Sequence, residues 1–159
     1  SCIEFNVFFQ ICNMQKLAFQ PYSLVTKSSK NKRYIFDQIR KKFVVLTPEE
    51  WVRQHEVHYL LNEKKAPKSW INVEKQFTIS NLKKRFDVIV FSADGSVQLL
   101  VECKAPNVTI SQETFDQIAR YNMNFNAQYM MITNGLNHYY CNCDYEYQFC
   151  KDLPILSTH

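Results

Sequence analysis

Arg85-Phe86-Asp87-Val88-Ile89-Val90-Phe91, then Asp94-Gly95, then Leu99-Leu100-Val101-Glu102-Cys103-Lys104, is the stretch of this 159-residue chain that decides its fold. Two β-branched and apolar runs joined by Asp-Gly read as a β-hairpin, because a tight hairpin turn wants the positive φ that Gly supplies. A two-residue loop at Asp94-Gly95 sets residue 93 against 96 and, counting outward, Asp87 opposite Glu102 and Arg85 opposite Lys104. A period of two puts Glu102 and Lys104 on one face. Facing Cβ atoms lie about 4.5–5.5 Å apart, so two carboxylates there repel unless something compensates them, as a divalent cation would. The plainer alternative is a pair of edge-strand charges facing water. The flanks argue for a site at the rim of a core: Ile89 and Leu100 continue the acidic face as apolar residues, while Leu99 and Val101 fill the opposite one.

Working outward, Ile71 to Ile79 alternates as a strand, with Val73, Phe77 and Ile79 on one side and Glu74, Gln76 and Thr78 on the other. Thr47-Pro48-Glu49-Glu50 opens a helix, with Thr47 as N-cap and Glu50 three residues on, expected to run to Asn62 or Glu63. Pro106 closes the hairpin's second strand, and Ser111 caps a second helix to about Phe125 that buries Phe115, Ile118, Asn122 and Phe125. Gln117 and Tyr121, four apart, share an adjacent face of that helix. Tyr129 to Thr133 is a buried strand, Asn134-Gly135 a turn, and 138–149 one or two further strands. The fold class is therefore α/β with a mixed sheet in the order α-β-β-β-α-β, the crossover helix demanding a parallel pair.

Composition narrows the functions. The chain is 46% hydrophobic and 21% charged, as expected of a folded single domain with one core. Residues 34–159 are expected to form that domain and 1–33 a flexible N-terminal extension. The apolar segment 1–13 contains Glu4 and no basic leader, which makes a poor signal peptide, and Met14 is a candidate natural start. With no membrane-length apolar run and no secretory signal, a cytoplasmic location with reduced thiols is the default. Only Gly95 and Gly135 occur, too few for a phosphate-cradling loop or dinucleotide fingerprint, so no nucleotide cofactor is expected in this chain. The net charge of +4 suits an anionic partner; Lys27, Lys30, Lys32, Arg33, Arg40, Lys41 and Lys42 crowd the first third, and Lys83-Lys84-Arg85 leads into Asp87. A solvated basic face explains the N-terminal cluster equally well. His138, Cys141, Cys143 and Cys150 are conceivable zinc ligands, but lack paired spacing, and free cysteine serves as a small buried hydrophobe.

The acid Asp87 on one strand and Glu102-Cys103-Lys104 on the next resemble the PD-(D/E)XK nuclease superfamily, with Phe86 in place of the proline that names the motif. Gln117-Ile118-Ala119-Arg120-Tyr121 is similar to the Gln-xxx-Tyr motif of its RecB-like branch. The wording of Thr47 to Gln54, of Val101 to Pro106 and of Thr133-Asn134-Gly135 resembles the N-terminal nuclease domain of type I restriction R subunits, the likeness spanning Ile35 to Pro154. The resemblance implies a restriction-endonuclease-like core, DNA as substrate, and helicase or specificity subunits in separate chains. It also implies the backbone carbonyl of Cys103 as a metal ligand, an acid of the first helix in the metal shell, and Gln117 and Tyr121 in contact with DNA near the scissile phosphate.

For the chemistry, an oxygen-only pair of Asp87 and Glu102 selects a hard ion, Mg²⁺ with Mn²⁺ as substitute. Lys104 is placed to orient or deprotonate the attacking water and to offset charge at phosphorus. Among first-helix acids Glu49, Glu50 and Glu56 are candidates; Glu50 is the candidate metal ligand, although it is also the expected capping-box partner of Thr47. Glu74 is a further acid one strand away. The basic residues expected to meet nucleic acid are Lys83, Lys84 and Arg85, with Gln117 and Tyr121. The competing function is a non-cleaving nucleic-acid-binding module of the same fold that serves a helicase or specificity partner.

Overall fold

The structure, a computed structural model, describes residues 14–144 and 146–157; the opening segment 1–13, with Cys2 and Cys12, and His159 lie outside the described residues. A small antiparallel sheet comes first, of β1 (Thr26–Ser29), β2 (Lys32–Asp37) and β3 (Lys42–Val45) in that order. The boundary expected at residue 33 therefore cuts through β2, and Leu17, within the expected extension, is buried in the main core.

Helix α1 (Pro48–Asn62) starts where its cap predicts, the Thr47 hydroxyl accepting from the Glu50 amide at 3.0 Å. A six-stranded sheet follows, of β4 (Ile71–Ile79), β5 (Leu82–Phe91) and β6 (Val97–Cys103), then, after helix α2 (Gln112–Asn122), β7 (Tyr129–Thr133), β8 (His138–Asn142) and β9 (Gln148–Cys150). Its strands lie in chain order, and β6 with β7 is the parallel pair spanned by α2. The α-β-β-β-α-β order expected from periodicity is thus the order of the main domain. No helix among the described residues is long and apolar enough to cross a membrane.

Both faces of the sheet are covered. Val88, Val90, Leu99, Val101, Cys103 and Met131 pack against Val52, Val57 and Leu60 of α1. Phe86, Ile89, Leu100, Met130 and Ile132 pack beneath Ile118 of α2. Each fully buried side chain of this kind contributes about 1.5–3 kcal/mol.

Three details depart from the period-two reading. The hairpin loop has three residues, not two: Ser92 donates to Ser96 O at 2.8 Å and Gly95 to Ser92 O at 3.0 Å, with Gly95 at φ +84°. That loop alone would slip the register by one, but a bulge at Gln98 restores it, and Val88, Val90 and Ile89 face Val101, Leu99 and Leu100 as expected. The paired ladder of β5 with β6 stops at Val88–Val101, so Arg85 and Lys104 are not a ladder pair.

Alternation also breaks in β4 and β5. Ile71 and Val73 belong to the core under α1, whereas Phe77 and Ile79 pack with the core under α2, contrary to the single face expected for Val73, Phe77 and Ile79. The switch falls at Glu74, which has φ +59°, opposite Asp87, and neither residue joins the ladder there. Phe86 and Val88 part to opposite faces in the same way, so Cys103 lies on the α1 side and Phe86 on the α2 side, not together on one buried face.

One buried group works against stability. Both Glu56 carboxyl oxygens are buried without a hydrogen-bond partner, and burial, with the nearby Asp152 charge, pushes its pKa from 4.5 to about 8. Folded Glu56 then keeps a proton that the unfolded chain releases, so its contribution to stability falls as pH rises from about 4.5 towards about 8. Urea unfolding of Glu56→Gln alongside the wild type should show the variant gaining on the wild type by up to ~1.4 kcal/mol per pH unit through that window. Parallel pH profiles would show an ordinary, solvated carboxylate.

Candidate active site

The first two turns of α1 point Glu49, Glu50 and Arg53 to one side, three and four residues being the spacing that brings helical side chains together. Arg53 is buried, and it is the centre of the site. Its Nη2 lies 2.7 Å from Asp87 Oδ1, 2.9 Å from Glu74 Oε1 and 3.2 Å from Glu49 Oε1, while Nη1 lies 2.7 Å from Glu50 Oε2. Glu50 is held again from the far side by Arg40, which also binds Asp37 at 2.7 Å. Asp37 accepts from the amides of Ile39 and Arg40 at 2.8 Å each and from Gln54 Nε2 at 2.9 Å. Burial opposes its charge, but these donors and the Arg40 guanidinium hold its carboxyl below the usual range.

The hairpin supplies the other half. Asp87 Oδ2 accepts from the Cys103 amide at 2.8 Å, so a carboxylate takes over just past the point where the ladder ends. Glu102 lies close enough to Asp87 to feel its charge; burial and that charge push its pKa from 4.5 up to about 7. Its oxygens lie 3.7 Å from Lys84 Nζ and 3.8 Å from Lys104 Nζ. Lys84 also lies over the rings of Phe86 and Tyr121, at 5.2 and 5.1 Å from their centroids.

The structure thus brings Asp87, Glu102 and Lys104 together and adds Tyr121 through Lys84. Gln117 stands exposed on α2 and Lys83 is exposed in β5. Arg85 turns to Glu74 Oε2 and Gln76 Oε1, at 3.4 and 3.3 Å. Glu50 caps with its amide, but its carboxylate is taken by two arginines and does not close a capping box. Glu56 lies one turn beyond Arg53 on α1, fully buried, and neither of its oxygens bonds Arg53. His138 uses both ring nitrogens, on Thr133 Oγ1 at 2.7 Å and Ala18 O at 2.6 Å, and Cys141, Cys143 and Cys150 carry free thiols.

Arg53 and Arg40 escaped the sequence reading. The available signal was an arginine three and four residues after two glutamates, a pattern that ordinarily marks a solvated helix face worth a few tenths of a kcal/mol. Only the register of β4 and β5 beneath α1 turns it into a buried hub.

Asp87 and Glu102 fit a hard divalent cation in donor type, and such a cation would offset the Asp87 charge that, with burial, raises the Glu102 pKa. No three His, Cys, Asp or Glu side chains among the described residues converge as a metal site, so the fit rests on this pair.

A family model described as type I restriction enzyme R protein N terminus matches residues 48–155. Among solved structures, a protein from Anabaena variabilis described as a candidate nuclease of DUF820 is similar at 11% identity and a TM-score of 0.49, over 82% of this chain and 87% of that one. No curated protein matches the chain.

Arg53→Ala should leave Glu50 and Asp87 buried beside a lost countercharge, costing about 3–5 kcal/mol at pH 7. Denaturant unfolding would read this. A loss below about 1 kcal/mol would mean that water already screens the cluster.

Proposed function

The chain belongs to the family of type I restriction enzyme R protein N termini, and from that premise we propose that it is a metal-dependent DNA endonuclease domain acting on phosphodiester bonds. The observation that carries the reading is the apposition of Asp87 and Glu102, with Lys104 Nζ 3.8 Å from Glu102. The Asp87 charge raises the cost of ionising Glu102, and a site that tolerates this gains from a cation.

In this reading Asp87 and Glu102, with the Cys103 carbonyl and Glu50 as further candidates, hold the ion. A bound Mg²⁺, or Mn²⁺ in its place, supplies polarisation of a phosphoryl oxygen and a more acidic ligated water. Lys104 orients the attacking water and offsets charge gathering on the phosphoryl oxygens. Lys84 keeps Glu102 partly neutralised and stacks on Tyr121, which with Gln117 faces the DNA. Arg53 fixes the rotamer of Asp87 from behind, leaving the Glu102 side of that carboxylate for the ion. Lys83 and Arg85 meet phosphates flanking the cut. Helicase or specificity partners would deliver the substrate.

One observation favours a second reading, a non-cleaving DNA-binding module: Arg53 already neutralises Asp87 at 2.7 Å. Plasmid nicking with Mg²⁺ or Mn²⁺ separates the two. Wild type should cut, Asp87→Ala should lose both cutting and calorimetric Mn²⁺ binding, and Lys104→Ala should lose cutting by 100-fold or more, roughly the worth of a positioned acid–base group, while keeping Mn²⁺ binding. Metal binding with no cutting would favour the binding module, and cutting that survives both substitutions would remove these residues from the chemistry.

A further inference from the structure

The small sheet of β1 to β3 has two unlike faces. Alternation and register set Ile35, Asp37 and Val44 on the inner one, where Ile35 and Asp37 are buried. The outer face carries Lys27, Lys32, Tyr34, Phe36, Phe43 and Val45. Phe36 is 36% exposed and Val45 50%, and the Phe36 and Phe43 rings meet edge to face at 5.3 Å. Lys27 Nζ lies 4.1 Å from the Phe43 centroid and 5.9 Å from that of Tyr34. Three aromatic rings in adjacent positions on an outward sheet face do nothing for either core described above.

The charge of this sheet is one-sided. Between Thr26 and Val45 there are seven Lys and Arg residues and one acid, Asp37, against a net charge of +4 for the whole chain. Asp37 is buried and spent on Arg40 and Gln54, and of the seven cations Lys27 and Lys32 lie on the outer face, which carries the aromatic rings and no carboxylate. A protein partner held by apolar contact alone would not call for that charge, and a duplex, whose bases are already stacked, would not call for the rings. A single strand uses both: phosphates on the lysines, unstacked bases on the rings.

We propose that the outer face of the β1–β3 sheet is a stacking platform for single-stranded DNA. It is tied to the candidate active site by an unbroken line of alternating charge, Asp37 to Arg40 to Glu50 to Arg53 to Asp87. A strand seated on the platform is thereby held at a set position relative to Asp87. The proposal rests on the nuclease reading for the identity of the polymer and adds the class of substrate, DNA with a free or frayed single strand beside the cut.

Fluorescence anisotropy with a labelled oligothymidine and a duplex of equal length, in EDTA so that no cutting intervenes, tests it on the full chain. The oligothymidine should bind more tightly than the duplex, and Phe36→Ala should weaken it by about 5- to 150-fold, the range for losing one stacked base. Phe36→Trp should restore binding and add an indole signal, beyond that of wild type, that the oligonucleotide quenches; an unchanged thermal midpoint guards against misfolding. Equal affinity for strand and duplex, unaffected by Phe36→Ala, would overturn the platform while leaving the nuclease reading to stand on plasmid cutting. Absence of oligonucleotide binding together with Phe36-dependent self-association in sedimentation would overturn it in favour of a protein contact.

Discussion

The Arg53 guanidinium is the interaction on which the site's geometry rests. A guanidinium offers five donors in a rigid plane, and here they serve Asp87, Glu50, Glu74 and Glu49 at once. Burial would lower its affinity for the proton, but the Asp87 and Glu50 charges more than reverse that and hold it firmly cationic. Replacing so polar a cluster with apolar packing would cost little in stability, so its value lies in position: it locks helix α1 to β4 and β5 at one rotation.

A second constraint explains why Arg53 can reach Asp87 at all. Regular strands would send Phe86 and Val88 to one face, and Val73 and Phe77 likewise. The positive φ of Glu74 and the missing ladder pair at Asp87 break that rule on both strands at the same level. Above the break Ile71, Val73, Val88 and Val90 serve the core under α1; below it Phe77, Ile79 and Phe86, at the same alternating positions, serve the core under α2. Asp87 sits at the crossover, close to Arg53 on one side and to Glu102 on the other. A left-handed glutamate is costly, and its carboxylate's bonds to Arg53 and Arg85 offset the strain.

The same network reaches the small N-terminal sheet. Arg40, in the turn between β2 and β3, shares Glu50 with Arg53, and Gln54 bonds Asp37. Five acids and two arginines therefore join three parts of the chain that are remote in sequence, which is why the sheet holds a defined position and its aromatic face a defined direction. Hydrophobic burial alone, being non-directional, would not set that direction.

Local patterns were enough for much of this. The caps at Thr47 and Ser111, the alternation in β5 to β7 and the Asp-Gly turn determined the helices, the main strands and their α-β-β-β-α-β order, because these signals act within a few residues. They also set the register up to Val88–Val101, one step short of Asp87 and Glu102, although by a route the hairpin did not take: a three-residue loop and the Gln98 bulge cancel, and a count of residues cannot see two compensating shifts. The Lys84 contact with Glu102, the strand pairing of Thr26 to Val45 and the burial of Arg53 among carboxylates were decided only by the tertiary structure. Each depends on which elements meet across the fold, and charges far apart in the chain find one another only once β-pairing and helix packing have set their distances.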